Sequence, residues 1–233
     1  MKQILAIAKK DITILFTSPI AYICLFLFLF ITGWAFAENA TNLMPGRLPE
    51  ASLRGLMYFL CVILLFISPF VSMRALAEET RLGTMELLLT SPITELQLVI
   101  GKYLALLFFL GVALALTGEI AVLLLIVAQP ETGPLLTNYL GLLLIGASYL
   151  ALGLLASCLS KSQMVSAILT FVLLLCFWFV EDTGALGAKL SIMAHIHSFG
   201  MGVIDSADVL YYLLFIGLSL FLTVRTLEYK RWR

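Results

Sequence analysis

Glu119 is a carboxylate set in an otherwise uncharged, apolar stretch. A charge at the centre of a bilayer costs at least about 2.5–3.5 kcal/mol, so such a group normally faces a cavity or a partner. It reads either as a polar lining of a substrate path or proton-sensitive hinge, or as a protonated glutamate in the outer third, hydrogen-bonded to Thr117 or a neighbouring helix. His195 and His197, with Met193 and Met201 nearby, are the residue types of a copper or haem site. Their i, i+2 spacing does not place two imidazoles on one helical face, and amphipathic rings are common at a membrane–water interface. We assign no metal ligands there. A third group is acidic: Glu78, Glu79 and Glu86 lie around Arg81 and Gly83-Thr84 in one short polar stretch. No Ser-His-Asp, Cys-His or paired-carboxylate constellation argues for a hydrolase. The phosphate-cradling pattern G-x-x-x-x-G-K-S/T does not occur either. Cys24, Cys61, Cys158 and Cys176 lie inside or at the edge of apolar runs without a CxxC partner, and read as small apolar side chains.

The elements that must position these groups follow from composition. The chain has 233 residues, 62% hydrophobic and 12% charged, with a mean hydropathy of +1.08. A soluble domain carries roughly 25% charged residues, so here the solvent must be mostly lipid. Net charge is zero, and no bulk field points to nucleic acid. A spanning helix needs about 20 apolar residues. Cutting at charges places six spans within Ile12–Ala37, Gly55–Met73, Ile100–Ala128, Leu135–Ser160, Ser162–Val180 and Val209–Val224. Ser18-Pro19 reads as a cap followed by a first-turn proline and starts the first span. Ser68-Pro69 should kink the second or unwind its last turn. Small residues four apart, Ala147/Ala151 and Gly153/Ser157, predict a close helix contact in the fourth. The apolar stretch Leu190–Ile204 is short for a span, and residues 185–208 fit an external re-entrant or interfacial segment.

At the N-terminus, Lys2, Lys9 and Lys10 precede an apolar run, and Ala35-Phe36-Ala37 looks like a cleavage site. The uncharged run Ile12–Ala37 far exceeds the roughly 7–15 residues of a signal core, so we read a retained anchor. Ile4, Ala8, Ile12 and Leu15 recur at helical spacing opposite the lysines. Residues 1–17 therefore predict a helix lying in the cytoplasmic interface. Six spans put both termini, the 74–98 loop and the 158–163 loop on one side, with eleven of the lysines and arginines; Arg47, Arg54 and Lys189 fall on the other. The positive-inside rule makes the first side cytoplasmic, with Glu181, Asp182, Asp205 and Asp208 facing out.

The 74–98 loop is charged first and greasy second. Gly83-Thr84 should break it into two short helices, and Ser91-Pro92 reads as the start of the helix leading into the third span. Such a loop offers carboxylates and leucines to a partner, although a solvated loop with a membrane-dipping leucine patch accounts for it equally well. The run Glu78-Glu79, Gly83-Thr84-Met85-Glu86-Leu87-Leu88-Leu89-Thr90, Pro92, then Gly101-Lys102, resembles the permeases of ABC-2 type transporters. Tyr139–Thr170, with Gly153, Ser157-Cys158-Leu159-Ser160 and Gln163, and the segment Gly202-Val203-Ile204-Asp205 are similar to later parts of that family. The likeness covers nearly the whole chain, and the small external loops look most like the gliding-motility-associated branch.

That resemblance implies an all-α integral membrane protein, one domain over 1–233, with six spans in a type V exporter-like arrangement. It implies that Glu78, Glu79, Arg81, Gly83, Thr84, Glu86, Leu87 and Pro92 couple the chain to a separate dimer of ABC ATPase subunits in the bacterial inner membrane. ATP and Mg would be bound there, with no cofactor on this chain. A second permease copy or a related permease would complete the path, with room for a further membrane or periplasmic subunit, and Glu119 would be the candidate in that path. A different outcome for the same fold is a mechanical subunit, whose ATP cycle moves an external partner instead of a substrate.

Overall fold

Proline at the first helical position has no hydrogen bond to lose, and its fixed φ starts a helix while ending the one before. At Ser18-Pro19 this separates α1 (Lys2–Thr17) from α2 (Pro19–Thr41). Ser18 Oγ accepts from the Ile20 N–H at 3.4 Å as the cap of α2. A helix over most of residues 1–17 and a second helix starting at Pro19 are therefore found where the sequence puts them. The computed structural model describes residues 2–41, 49–85, 93–128 and 132–231.

Among the described residues eight more α-helices follow: α3 (Pro49–Ser72), α4 (Ala77–Arg81), α5 (Glu95–Ala128), α6 (Thr132–Leu159), α7 (Gln163–Phe179), α8 (Ala185–Leu190), α9 (His197–Gly200) and α10 (Ser206–Arg231). No strand occurs among the described residues. Among the described residues, five helices are long and apolar enough to cross a membrane: α2, α3, α5, α6 and α10. The fifth expected span, α7, is an apolar helix of 17 residues. Pro69 is accommodated inside α3, which stops one turn later at Ser72 and gives way to a turn over 73–76.

The helix α6 is the most buried of the long ones and packs against α3, α5, α7 and α10. Its sequence explains this position. Ala147, Ala151, Gly153, Ala156 and Ser157 are all buried and small enough to let neighbouring backbones approach. A Cβ at Gly153 would strike Ser72 Oγ on α3 and crowd Thr170 on α7. The small-residue pairs thus mark a close contact, as expected.

Polar contacts define two ends of the bundle. At one end Arg74 Nη1 donates to Ser18 Oγ at 2.7 Å, Arg231 meets Glu95 at 2.6 Å, and Lys230 Nζ caps the Cys158 carbonyl at 2.5 Å. The last of these satisfies an orphan carbonyl at the C-terminus of α6. At the other end Tyr139 donates to the Thr117 carbonyl at 2.9 Å and Tyr212 to the Ile192 carbonyl at 2.8 Å.

The helix α5 is longer than its expected bounds. It begins at Glu95, where Thr94 and Gln97 form a reciprocal capping box: Thr94 Oγ1 accepts from Gln97 N–H at 3.3 Å and Gln97 Oε1 from Thr94 N–H at 3.2 Å. The expected start at Ser91-Pro92 lies outside the described residues. At 34 residues, α5 is about 51 Å long against a hydrocarbon core of about 30 Å.

Candidate functional site

The loop joining the second and third long helices is held by one serine. Ser157 Oγ, fully buried on α6, accepts from the N–H groups of Leu76 and Ala77 at 3.0 and 2.9 Å and donates to the Met73 carbonyl at 3.1 Å. Where α3 has ended and α4 has not yet closed its first turn, backbone groups lack helical partners. A single hydroxyl satisfies three of them. Leu76 and Ala77, both fully buried, fix the same joint by packing.

Beyond that joint, α4 carries Glu78, Glu79 and Arg81, and the chain then turns through Leu82, Gly83 and Thr84. Gly83 has φ +72°, in the left-handed region that other residues enter at a cost. Gly83 makes the expected sharp turn after α4, and the second short helix expected beyond it lies largely outside the described residues. Arg81, Leu82, Gly83 and Thr84 are exposed and form its tip, while Met85 is buried. Glu86, Leu87 and Pro92 lie outside the described residues. Of the acidic pair, Glu79 turns inward and Glu78 is half-buried beside a cavity.

The inward turn of Glu79 meets a buried cation. Lys102, only 3% exposed, places Nζ 2.8 Å from Glu79 Oε1 and 3.0 Å from Asp11 Oδ2. Lys10 approaches the same Glu79 oxygen at 3.8 Å. A charge this deep persists only when paired and hydrogen-bonded, and two carboxylates supply that. The neighbouring Gly101 lets α1 lie close on α5: a Cβ there would come within 2.8 Å of Ile7 Cγ2 and 3.1 Å of the Ile4 carbonyl. Glycine and lysine therefore act together. The first admits the helix, and the second bonds Asp11 on it and Glu79 on the loop.

Asp11, Ser157 and Lys102 were not among the expected site residues, although Gly101-Lys102 closes the run that resembles the ABC-2 permeases. Their sequence signals were faint. A lysine beside a glycine in an apolar run resembles a span end, and a serine in a small-residue stripe resembles packing.

The side chain of Glu119 is exposed on α5. It lies 17 positions beyond Lys102, about 25 Å along the helix axis. The neighbouring Thr117 hydroxyl donates to the Leu114 carbonyl at 2.7 Å and receives Tyr139 at 3.3 Å, so its bonds lie inside the bundle.

His195 and His197 are separated, as their spacing implies. The ring of His195 stacks on Tyr211 with centroids 4.0 Å apart and sits with Nδ1 2.6 Å from Asp208 Oδ1. Ser198 Oγ donates to the other Asp208 oxygen at 2.5 Å. Both groups bond the aspartate rather than each other, so no nucleophile–base pair forms. The arrangement ties the 185–208 segment to the start of α10. His197 points to the exposed side. Among the described residues, no three His, Cys, Asp or Glu side chains converge on a common point.

Residues 5–222 match the family model described as ABC-2 family transporter protein. No curated protein gives a significant match to the chain. The family's members are membrane components without an ATPase site of their own and generally work with an ABC ATPase. Five membrane-length apolar helices and a match over nearly the whole length agree with that description. The chain belongs to the ABC-2 family of transporter proteins, as a multi-pass membrane permease subunit.

Proposed function

We propose that the loop after α3 is the element through which an ABC ATPase drives this permease, with both termini and the loop on the cytoplasmic side. The supporting observation is mechanical. The loop's tip is exposed, with Leu82 at 62%, while its base is bonded to four long elements. Ser157 ties it to α6, Lys102 to α5, Asp11 through Lys102 to α1, and α3 runs directly into it. A push on the tip therefore moves several helices together.

The ATPase, as a subunit dimer carrying ATP and Mg, would bind below two permease copies or a copy and a related permease. The path would open between them, and α7 would complete the six spans. Glu119, exposed on one copy, would face that path or the second copy. The 185–208 segment would re-enter the outer leaflet, pinned by His195, Ser198 and Asp208. The short chain and small external loops favour the gliding-motility-associated branch, and the resemblance implies an inner-membrane location.

Glu86→Arg would put like charges together at a docking surface and leave one unpaired, and Leu82→Asp would put a charge where an apolar groove expects a leucine. Either change should abolish co-purification of the ATPase or uncouple its activity from transport, with insertion unchanged. Reversal of Glu50, in the first turn of α3 on the external side of this arrangement, is the matched control. Normal yield and coupling in both loop variants would refute the docking assignment. ATPase activity stimulated only by an external protein, and by no small molecule or lipid, would favour the mechanical reading over transport.

A further inference from the structure

Between α1, α2, α3, α4 and α5 lies a cavity of about 500 Å³, at the end of the bundle that holds both termini. Its walls divide into two zones. Ile14, Leu15, Ile20, Ala21, Phe70 and Leu106 make an apolar side, on which Ile14 and Phe70 are each about half exposed. Exposed apolar side chains of this kind are, in a membrane protein, the surface that meets lipid. The remaining wall carries Lys10, Asp11, Arg74, Glu78, Glu79 and Lys102, three cations and three carboxylates.

Four of those six are already paired: Lys102 with Asp11 and Glu79, and Lys10 with Glu79. Arg74 and Glu78 are not. Arg74 meets no carboxylate among the described residues. Its Nη1 donates to the neutral Ser18 hydroxyl, and its Nε has no acceptor. Glu78 meets no cation among the described residues, and Glu79 Oε2 is also without a partner. A guanidinium offers five donors in a fork suited to phosphate, and one serine uses little of that capacity. The cavity thus has an uncompensated cation and an uncompensated anion four positions apart in sequence, balanced overall, above an apolar wall open to the bilayer.

We propose that this cavity is a binding site for a zwitterionic phospholipid of the ethanolamine type. The headgroup phosphate lies on Arg74, the ammonium on Glu78, and an acyl chain leaves along Ile14 and Phe70. A net-neutral wall favours a zwitterion over an anionic lipid, whose extra charge would find no second cation. A bound lipid here touches α1, α2, α3, α4 and α5 together, so it would stiffen the base of the loop.

The test uses the purified permease without its ATPase, in nanodiscs of equal phosphatidylethanolamine and phosphatidylglycerol, with bound lipid read by native mass spectrometry. Wild type should retain phosphatidylethanolamine, enriched about tenfold over phosphatidylglycerol, the scale of one or two charge-assisted hydrogen bonds. Arg74→Gln should lose about tenfold of that retention. Ile14→Trp, which fills the cavity from an exposed position and keeps every charge, should exclude the lipid. Glu78→Gln should shift the preference towards phosphatidylglycerol, a change that a merely structural role for Glu78 would not produce. Equal retention of the two lipids by wild type overturns the proposal. So does wild-type retention in Ile14→Trp together with unchanged selectivity in Glu78→Gln. Loss of the lipid from wild type when the purified ATPase is added would show that the cavity seats a protein segment instead.

Discussion

Lys102 concentrates the electrostatics of the candidate site in a single atom. Its ammonium has two carboxylates within hydrogen-bond distance and almost no water. The pairing need not add net stability, because desolvating three charges offsets much of their attraction. Breaking it is a different matter. Lys102→Met leaves Asp11 and Glu79 facing one another with their shared cation gone, and should cost about 3–5 kcal/mol, read as a lower melting temperature of the purified permease. The triple variant Lys102→Met, Asp11→Asn, Glu79→Gln should recover most of that loss, since no buried charge remains unmatched. A triple variant no more stable than Lys102→Met would show that the lysine contributes through the packing of its stem.

At the scale of elements, three glycines of different kind separate backbone conformation from packing. Gly83 has open space around a prospective Cβ but a left-handed φ. Asparagine visits that region readily and valine does not. Gly83→Asn should therefore keep ATPase co-purification near wild type, whereas Gly83→Val should lower it by straightening the turn. Gly153 is the reverse case: an ordinary helical backbone with Ser72 and Thr170 against it. Gly153→Ala should destabilise the protein by about 1–3 kcal/mol by forcing α3 and α7 away from α6. Gly111 on α5 has neither constraint, and Gly111→Ala should be neutral or stabilise by up to about 1 kcal/mol. Comparable melting temperatures for Gly153→Ala and Gly111→Ala would contradict the close α3–α6 contact.

For the whole molecule, the distribution of charge and the contacts at the two ends predict one orientation. The end with Ser18, Arg74, Lys102, Lys230 and Arg231 is the basic one, and the end with Asp205 and Asp208 is acidic. Cysteine at Val203, exposed at the acidic end, should react with an impermeant thiol reagent on intact cells. Cysteine at Leu82, exposed at the loop tip, should react only after permeabilisation. The background needs Cys176 replaced, since it is the one exposed cysteine of the four. Labelling of Leu82 from outside would reverse the topology and remove the loop from the ATPase's reach.

Much of this protein was legible in the sequence by itself. Apolar run lengths placed six spans, because a bilayer dictates the length of whatever crosses it; among the described residues five are helices of membrane length, and the fifth expected one, α7, is an apolar helix of 17 residues. Ser18-Pro19 and Gly83 marked a helix start and a sharp turn, because proline and glycine act on their own backbone and need no distant partner. The small-residue stripe of α6 was visible because its four-residue spacing lies within one helix, although the helices it packs against were not. Only the tertiary structure decided that Lys102 joins Asp11 and Glu79, that Ser157 holds the base of a loop some eighty positions away, and that Arg74 and Glu78 share a cavity. It also decided that Glu119 faces outward. A periodic pattern shows which face of a helix avoids water. In lipid both faces are apolar, so the pattern fades, and the partner of a buried polar group is set by how helices pack rather than by where it stands in the chain.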